Sequence, residues 1–380
     1  LTVVEPQSSG IGGGGFLVRG AADGSVETVD GRETAPMGAT PDWFLNADGS
    51  VPPFMDSVLS GLSVGVPGNI ALAAEAHARH GTLPWAVLFE PAIELARDGF
   101  PINVRLAQSL TQSRDRAAAN EGGRALFYDD QGRPLPAGTL VRNPELARTF
   151  EAIAKGGREV FYRGPIASAI AETVASETPR PDPMTQADIA AYQAKVRDGV
   201  CGSYRGYRVC GMGPPSSGGV AVLQILGQLE RFDLAALGLG NPVTWHLFLE
   251  SQRLAYADRE LYIADSDFVS VPVDGLLDRA YLAERSALIS PDRTMDEARP
   301  GMPRGAQNAL ADGDEPEERG TSHIAAVDAA GTMISYTSTV EGAFGSGLTA
   351  NGFYLNNELT DFSRSPMIDG KPVANRVEPG

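Results

Sequence analysis

Cysteine and histidine are scarce in this 380-residue chain, with two Cys and four His, and positive charge is outnumbered, 31 Lys and Arg against 48 Asp and Glu. No run of Lys or Arg occurs, and the formal charge is −17. Such a chain has little with which to neutralise phosphates, which argues against nucleic acid and anionic membrane as partners. Also missing is any apolar stretch near the roughly 20 residues needed to span a bilayer. The N-terminus lacks a basic segment followed by a short apolar run. It opens mid-pattern at Leu1-Thr2-Val3-Val4 without Met, so the chain reads as a fragment or a processed form, and the missing signal says little about compartment.

What is present is enough for a large core, since 42% of residues are apolar. Length arithmetic suggests two or three domains, although large α/β folds often run past that as one unit. Nothing repeats at a solenoid period. Cys201 and Cys210 flank a segment that can turn at Arg205-Gly206. A hairpin there sets the two cysteines opposite each other on a non-hydrogen-bonded pair, close enough for a bridge. A disulfide would imply an oxidising compartment, whereas two facing thiols would not.

Gly12 to Gly15 precede the strand pattern Phe16-Leu17-Val18, and a second apolar stretch ends at Val29-Asp30-Gly31-Arg32-Glu33. A dinucleotide loop has its glycines after a strand and before a helix, so that reading is set aside. Tight packing behind a site, or a crowded turn, suits four glycines better. Helices are predicted over 70–80, from Pro84 to near Arg97, and over 144–155, 165–176, 186–196 and 245–263. His77 and His80 lie three apart, but no third ligand type clusters with them, which argues against a metal site. Ser216 and Ser217, in Pro214-Pro215-Ser216-Ser217-Gly218-Gly219, read as a cap on the helix that follows, because Gly-x-Ser-x-Gly is absent. Arg253, Asp258, Arg259 and Glu260 are placed on or near the polar face of the long helix.

The one compositional break runs from 290 to 320 and is rich in Pro, Gly and acid, including Asp312, Asp314, Glu315, Glu317 and Glu318. It buries too little apolar surface to order itself and reads as a flexible connector. It ends at Arg319-Gly320-Thr321-Ser322-His323, and 324–328 and 333–339 then read as two strands around a turn at Gly331. A Thr after such a connector suits a nucleophile released by cleavage of its own peptide bond. Its new α-amine titrates near 8 and can take the hydroxyl proton. The pentapeptide alone better fits an ordinary strand start, because single Thr residues at strand starts are common.

Several separated stretches decide the matter. They are Gly12 to Phe16, Asp30 to Pro36, Pro214 to Gly219, Thr321 to Asp328, Phe344 to Gly347 and Leu355 to Ser363. In order and spacing the chain resembles the γ-glutamyltransferase (γ-glutamyl transpeptidase) family of N-terminal-nucleophile hydrolases. The resemblance implies an α+β fold, an αββα four-layer sandwich that is incomplete in this fragment and forms one structural domain. It implies autocatalytic cleavage between Gly320 and Thr321, giving a large-subunit region 1–320 and the start of a small-subunit region 321–380 that stay associated. By the same resemblance Thr321 is the nucleophile, Thr339 bonds its amine, Thr337 supports processing, Arg32 grips a substrate α-carboxylate, and Glu358 and Asp361 hold the α-ammonium. The donor would be a γ-glutamyl amide such as glutathione, the acceptor an amine, amino acid, peptide or water, with no cofactor and no metal, in the periplasm or outside the cell.

Two departures bear on specificity. Glu341 stands where many members carry Asn, which deepens the negative field and leaves open a glutaryl or cephalosporin acyl group. The segment 364–374 is shorter than in lid-bearing members, which favours water over amine attack. The chain stops at Val377-Glu378-Pro379-Gly380, before the family's carboxylate-binding Ser-Ser and oxyanion glycines. An acylase of the same fold, or a non-catalytic binding homologue, are the alternatives.

Overall fold

Hydrophobic alternation in five short segments builds one antiparallel sheet. The computed structural model describes residues 1–307, 310–311 and 320–380. Strands β1 (Gly14–Gly20) and β2 (Val26–Gly31) form a hairpin. Two helices used below follow, α1 (Asn69–His80) and α2 (Pro165–Ser176). Next come β3 (Lys195–Arg197), the hairpin β4 (Val200–Tyr204) and β5 (Tyr207–Gly211), and helices α3 (Gly218–Leu229) and α4 (Pro242–Tyr262). The chain closes with β6 (Thr321–Val327) and β7 (Met333–Thr339). The main sheet runs β3-β2-β1-β7-β6, so β1 lies between its hairpin partner β2 and the late hairpin. Every other sheet among the described residues is two-stranded.

Period-2 alternation sorts the two faces. Leu17 and Val29 of one face pack with Leu72 of α1 and Tyr336 of β7. The other face carries Phe16, Thr321, Thr339, His323 and Thr337, because these positions share register across β1, β6 and β7. Asn69, the first residue of α1, joins the layers: its amide donates to Gly10 O and Ser338 Oγ, while Tyr336 Oη donates to Asn69 Oδ1. A helical core around Ile70, Phe150, Phe161 and Ile170 supports this arrangement, and a second core around Leu229, Leu247 and Leu254 binds α3 to α4. No helix among the described residues is long and apolar enough to cross a membrane.

Three local expectations give way to tertiary demands. The helix predicted over 186–196 ends at Ala191, and Lys195–Arg197 joins the sheet edge instead, where Arg197 pairs with Asp30 of β2 at 2.7 Å. The helix predicted from Pro84 splits into a 3₁₀ turn Trp85–Phe89 and a helix Glu90–Asp98, because Pro91 can begin a helix but cannot continue one. Asp258, expected on a polar face, is fully buried. Its carboxylate accepts from Tyr281 Oη at 2.7 Å, Gly301 N at 2.8 Å and Gln224 Nε2 at 2.9 Å, and faces Arg285 at 3.2 Å. A charge survives inside a fold only when partners replace its water, and here they arrive from three other segments.

The cysteine hairpin turns at Arg205-Gly206, pairs Cys201 with Cys210, and joins the two sulfurs. The described residues 291–307 have no helix or strand, yet several of their backbone groups are tied: Met295 to Glu250 and Arg253, Arg299 to Arg285, Gly301 to Asp258 and Tyr262. The acids 312–318 and Arg319 lie outside the described residues.

Candidate active site

Thr321 is the first residue of the edge strand β6, directly opposite Thr339 at the end of β7. Antiparallel pairing puts both side chains on one face, with Thr321 Oγ1 3.1 Å from Thr339 Oγ1. Thr339 Oγ1 also donates to the Gly320 carbonyl at 2.8 Å and accepts from Glu341 N at 2.8 Å. One buried hydroxyl therefore touches the nucleophile candidate and the carbonyl it would attack. Thr337 lies two pairs further along, opposite His323, and its hydroxyl bonds His323 Nδ1 at 2.8 Å.

Glycine makes this crowding possible at two places. A β-carbon on Gly13 would collide with the carbonyl oxygen of Thr339, and one on Gly320 would sit 2.6 Å from Glu341 O. The glycine run thus lets the backbone approach the end of β7, which is the packing role its composition suggested. Glu341 turns the chain away with φ 73°, a left-handed conformation uncommon for a side-chain-bearing residue and typical of constrained sites.

That turn brings Glu341 to the polar cluster. Carboxylate oxygens of Glu341, Glu358 and Asp361 lie within 4.8 Å of one another. Such a group could in principle take a cation, but the counter-charge at this place is Arg32, whose guanidinium pairs with both Glu358 and Asp361 and lies 5.8 Å from the Phe16 ring centre. Burial works against the charged guanidinium, but Glu358, Asp361, Glu33 and Glu341 outweigh it and raise its pKa. Glu358 is 2% exposed; burial raises its pKa well above the usual value, with Arg32 opposing and Glu33 and Asp361 adding to the rise. So many acids around one cation share protons, and the cluster carries less negative charge than its residue count implies.

Glu33 escaped the sequence reading. It is 4% exposed, and burial pushes its carboxyl up from 4.5 to about 8, Arg32 opposing and Glu341 adding. An acid next to an arginine in sequence looks like a surface pair; only the fold reveals that Gly14 and Gly65 pack against it. Between pH 4.5 and about 8 the folded chain keeps a proton that the unfolded chain has released, so stability falls as pH rises through that window. Glu33→Gln should therefore flatten the fall in Tm between pH 6 and pH 8.5, read by thermal unfolding of both proteins. An unchanged slope would remove Glu33 as its source.

A cavity of about 220 Å³ opens over this cluster. Phe16, Arg32, Glu33, Glu358 and Asp361 line it together with Ser216, Ser217 and Arg259. Ser217 Oγ accepts from Arg259 Nε at 3.0 Å and makes no capping bond; Ser216 Oγ receives Gly218 N at 3.4 Å. The serine expected to cap α3 is thus engaged by a residue 42 positions away. Nothing in local sequence signals that contact.

A family model described as gamma-glutamyltranspeptidase matches residues 1–380. The chain belongs to this family. The glutathione hydrolase proenzyme of Bacillus subtilis is 36% identical over 390 residues, covering 100% of this chain, and the chain spans 64% of that relative's length. The gamma-glutamyltranspeptidase of Helicobacter pylori superposes with TM-score 0.76 at 37% identity, over 81% of this chain and 88% of that one. A cephalosporin acylase from Bacillus halodurans superposes with TM-score 0.82 at 27% identity, over 100% of this chain and 67% of that one. The gamma-glutamyltranspeptidase family and both superpositions establish the α+β N-terminal-nucleophile hydrolase fold.

Proposed function

We propose that this chain carries the nucleophile and the amino-acid pocket of a γ-glutamyl hydrolase and transpeptidase that acts on glutathione and related γ-glutamyl amides. The observation that carries the reading is the contact of Thr321 Oγ1 with a hydroxyl that also holds the Gly320 carbonyl. In the uncut chain the Thr321 nitrogen is an amide and no base. Thr339 polarises the Gly320 carbonyl by donating to its oxygen, Thr321 Oγ1 adds to the carbonyl carbon, and the C–N bond breaks as the hydroxyl proton passes to the Thr321 nitrogen, leaving an ester and a free α-amine. Water then hydrolyses the ester, freeing the Gly320 carboxylate and the Thr321 hydroxyl and leaving Thr321 as an N-terminal residue with its own α-amine. That amine accepts the hydroxyl proton in later turnovers, so Thr321 can take the γ-glutamyl group and pass it to water or an amine.

The large region 1–320 and the region from 321 onward stay associated in this reading, since β7 pairs with β1 of the large region and holds β6 at the sheet edge. The cluster around Arg32 suits an α-amino acid end: a carboxylate can replace one of the acids on the guanidinium, while its ammonium lies among those acids. Compartment follows from the bonded cysteine pair, which favours the periplasm or the outside of the cell.

A glutaryl or cephalosporin acylase activity is the second reading, favoured by Glu341 and by the likeness to the acylase. Initial rates on γ-glutamyl-p-nitroanilide and glutaryl-p-nitroanilide separate the two. The γ-glutamyl compound should be cleaved at least ~10-fold faster, since the acids around Arg32 meet an ammonium that the glutaryl compound lacks. Faster glutaryl release would reverse the assignment, and a chain that stays intact and releases neither product would make the protein a binding homologue.

A further inference from the structure

Thr339 and the acid cluster lie on separate segments, and one substrate must reach both. Two adjacent asparagines, Asn356 and Asn357, stand between them, and both are fully buried. Asn357 holds the end of β7. Its Oδ1 accepts from Gly342 N at 2.8 Å and its own N donates to Val340 O at 3.2 Å, so it grips the residues on both sides of Glu341. Glu341 N in turn donates to Thr339 Oγ1, which leaves the Thr339 hydrogen for the Gly320 carbonyl. Asn356 holds the acids. Its Oδ1 accepts from Gly65 N at 2.9 Å and Glu358 N at 3.1 Å, while Nδ2 donates to Gly12 O at 2.8 Å and Gly65 O at 2.9 Å. A β-carbon on Gly65 would sit 2.6 Å from Glu33 Cβ, so this one amide fixes the backbone beside both buried carboxyls, Glu33 and Glu358. Two donations and two acceptances use the whole capacity of an amide, and neither a carboxylate nor a hydroxyl can match that set.

We propose that these asparagines are positioning residues with separate tasks: Asn357 aims the Thr339 hydroxyl at Thr321 and the Gly320 carbonyl, and Asn356 sets the carboxyls that receive the amino-acid end of the substrate. The inference rests on the γ-glutamyl reading above. Each asparagine acts through the backbone it holds and not on the reacting atoms. Glu341 has φ 73°, a conformation that persists in a side-chain-bearing residue only where its surroundings enforce it. Without the Asn357 amide, Gly342 N is released, the turn relaxes, and Glu341 N moves off Thr339 Oγ1. The hydroxyl then loses its fixed direction at a step where a misplacement of about 1 Å can cost about 10²-fold in rate. Without the Asn356 amide, Glu358 N and Gly65 are released instead. The carboxyls around Arg32 shift and binding weakens, while Thr321 and Thr339 stay paired across β6 and β7. Asparagine suits both places because it supplies donor and acceptor without adding a charge beside the acids.

Kinetics on γ-glutamyl-p-nitroanilide in the full-length protein, expressed per mole of cut chain, test this division. Asn357→Ala should slow cutting after Gly320 and lower kcat, each by about tenfold, with KM within about twofold of wild type. Asn356→Ala should do the reverse, raising KM about tenfold with kcat and the rate of cutting within about twofold. Asn357→Asp keeps the acceptor for Gly342 N and should recover most of the lost kcat. Thr360→Val removes the hydroxyl that Asn357 Nδ2 bonds at 2.9 Å but spares the Gly342 contact, so it should lower Tm with kcat and KM unchanged. Asn356→Ser and Asn357→Ser, too short to span the same contacts, serve if an alanine variant does not fold. The same pattern of kcat and KM for both asparagines, or losses that simply follow Tm across all the variants, would reduce the two residues to core packing and overturn the proposal. Failure of the underlying reading shows separately, as a wild-type protein that is never cut after Gly320 and cleaves no γ-glutamyl donor.

Discussion

Thr321→Ala is expected to leave a single uncut polypeptide with activity lowered by roughly 10⁴-fold or more, to background. The hydroxyl lost is both the group that opens the Gly320 carbonyl and the group that takes the acyl chain. No second hydroxyl can replace it, because Thr339 Oγ1 is committed to the Gly320 carbonyl and to Glu341 N. Folding should survive: Thr321 is exposed at an edge-strand start, and its side chain gives up one hydrogen bond, worth about 1 kcal/mol. Intact-mass measurement and N-terminal sequencing read the outcome. Wild-type protein should show a new N-terminus at Thr321, and a variant that still cuts after Gly320 would exclude Thr321 as the nucleophile.

Arg32→Ala carries the second large effect, a rise in KM for γ-glutamyl donors of about 10²-fold or more with kcat changed far less. Losing the charged partner of a substrate carboxylate in a partly buried site costs about 2–5 kcal/mol of binding. The change also strands Glu358, which is 2% exposed and pairs with this guanidinium. Its carboxyl should then hold a proton more firmly, so the variant should also lose thermal stability as pH rises. Arg32→Lys should restore only part of the affinity, since an ammonium cannot present two parallel donors. Steady-state kinetics decide the point, and an unchanged KM would take Arg32 out of the pocket.

The hairpin of β6 and β7 was legible because alternation around Gly331 is a local signal, and the helices over 69–80 and 165–176 because proline placement and apolar spacing are local too. The failures are also physical. Lys195–Arg197 has little preference of its own and follows the edge of β2, while Asp258 looked solvated until partners from Gln224, Tyr281 and Gly301 closed around it.

By itself the sequence determined the strands of the main sheet other than Lys195–Arg197, the kinship carried by its motifs, and Thr321 as the residue that follows the acidic connector. Only the tertiary structure decided which hydroxyl meets Thr321, that Glu33 is enclosed and keeps its proton, and that Arg259 shares a cavity with Arg32. Periodicity reports on neighbours a few residues apart, whereas these contacts join residues from 18 to more than 200 positions apart. Their chemistry depends on how much water the packed layers leave beside each charge.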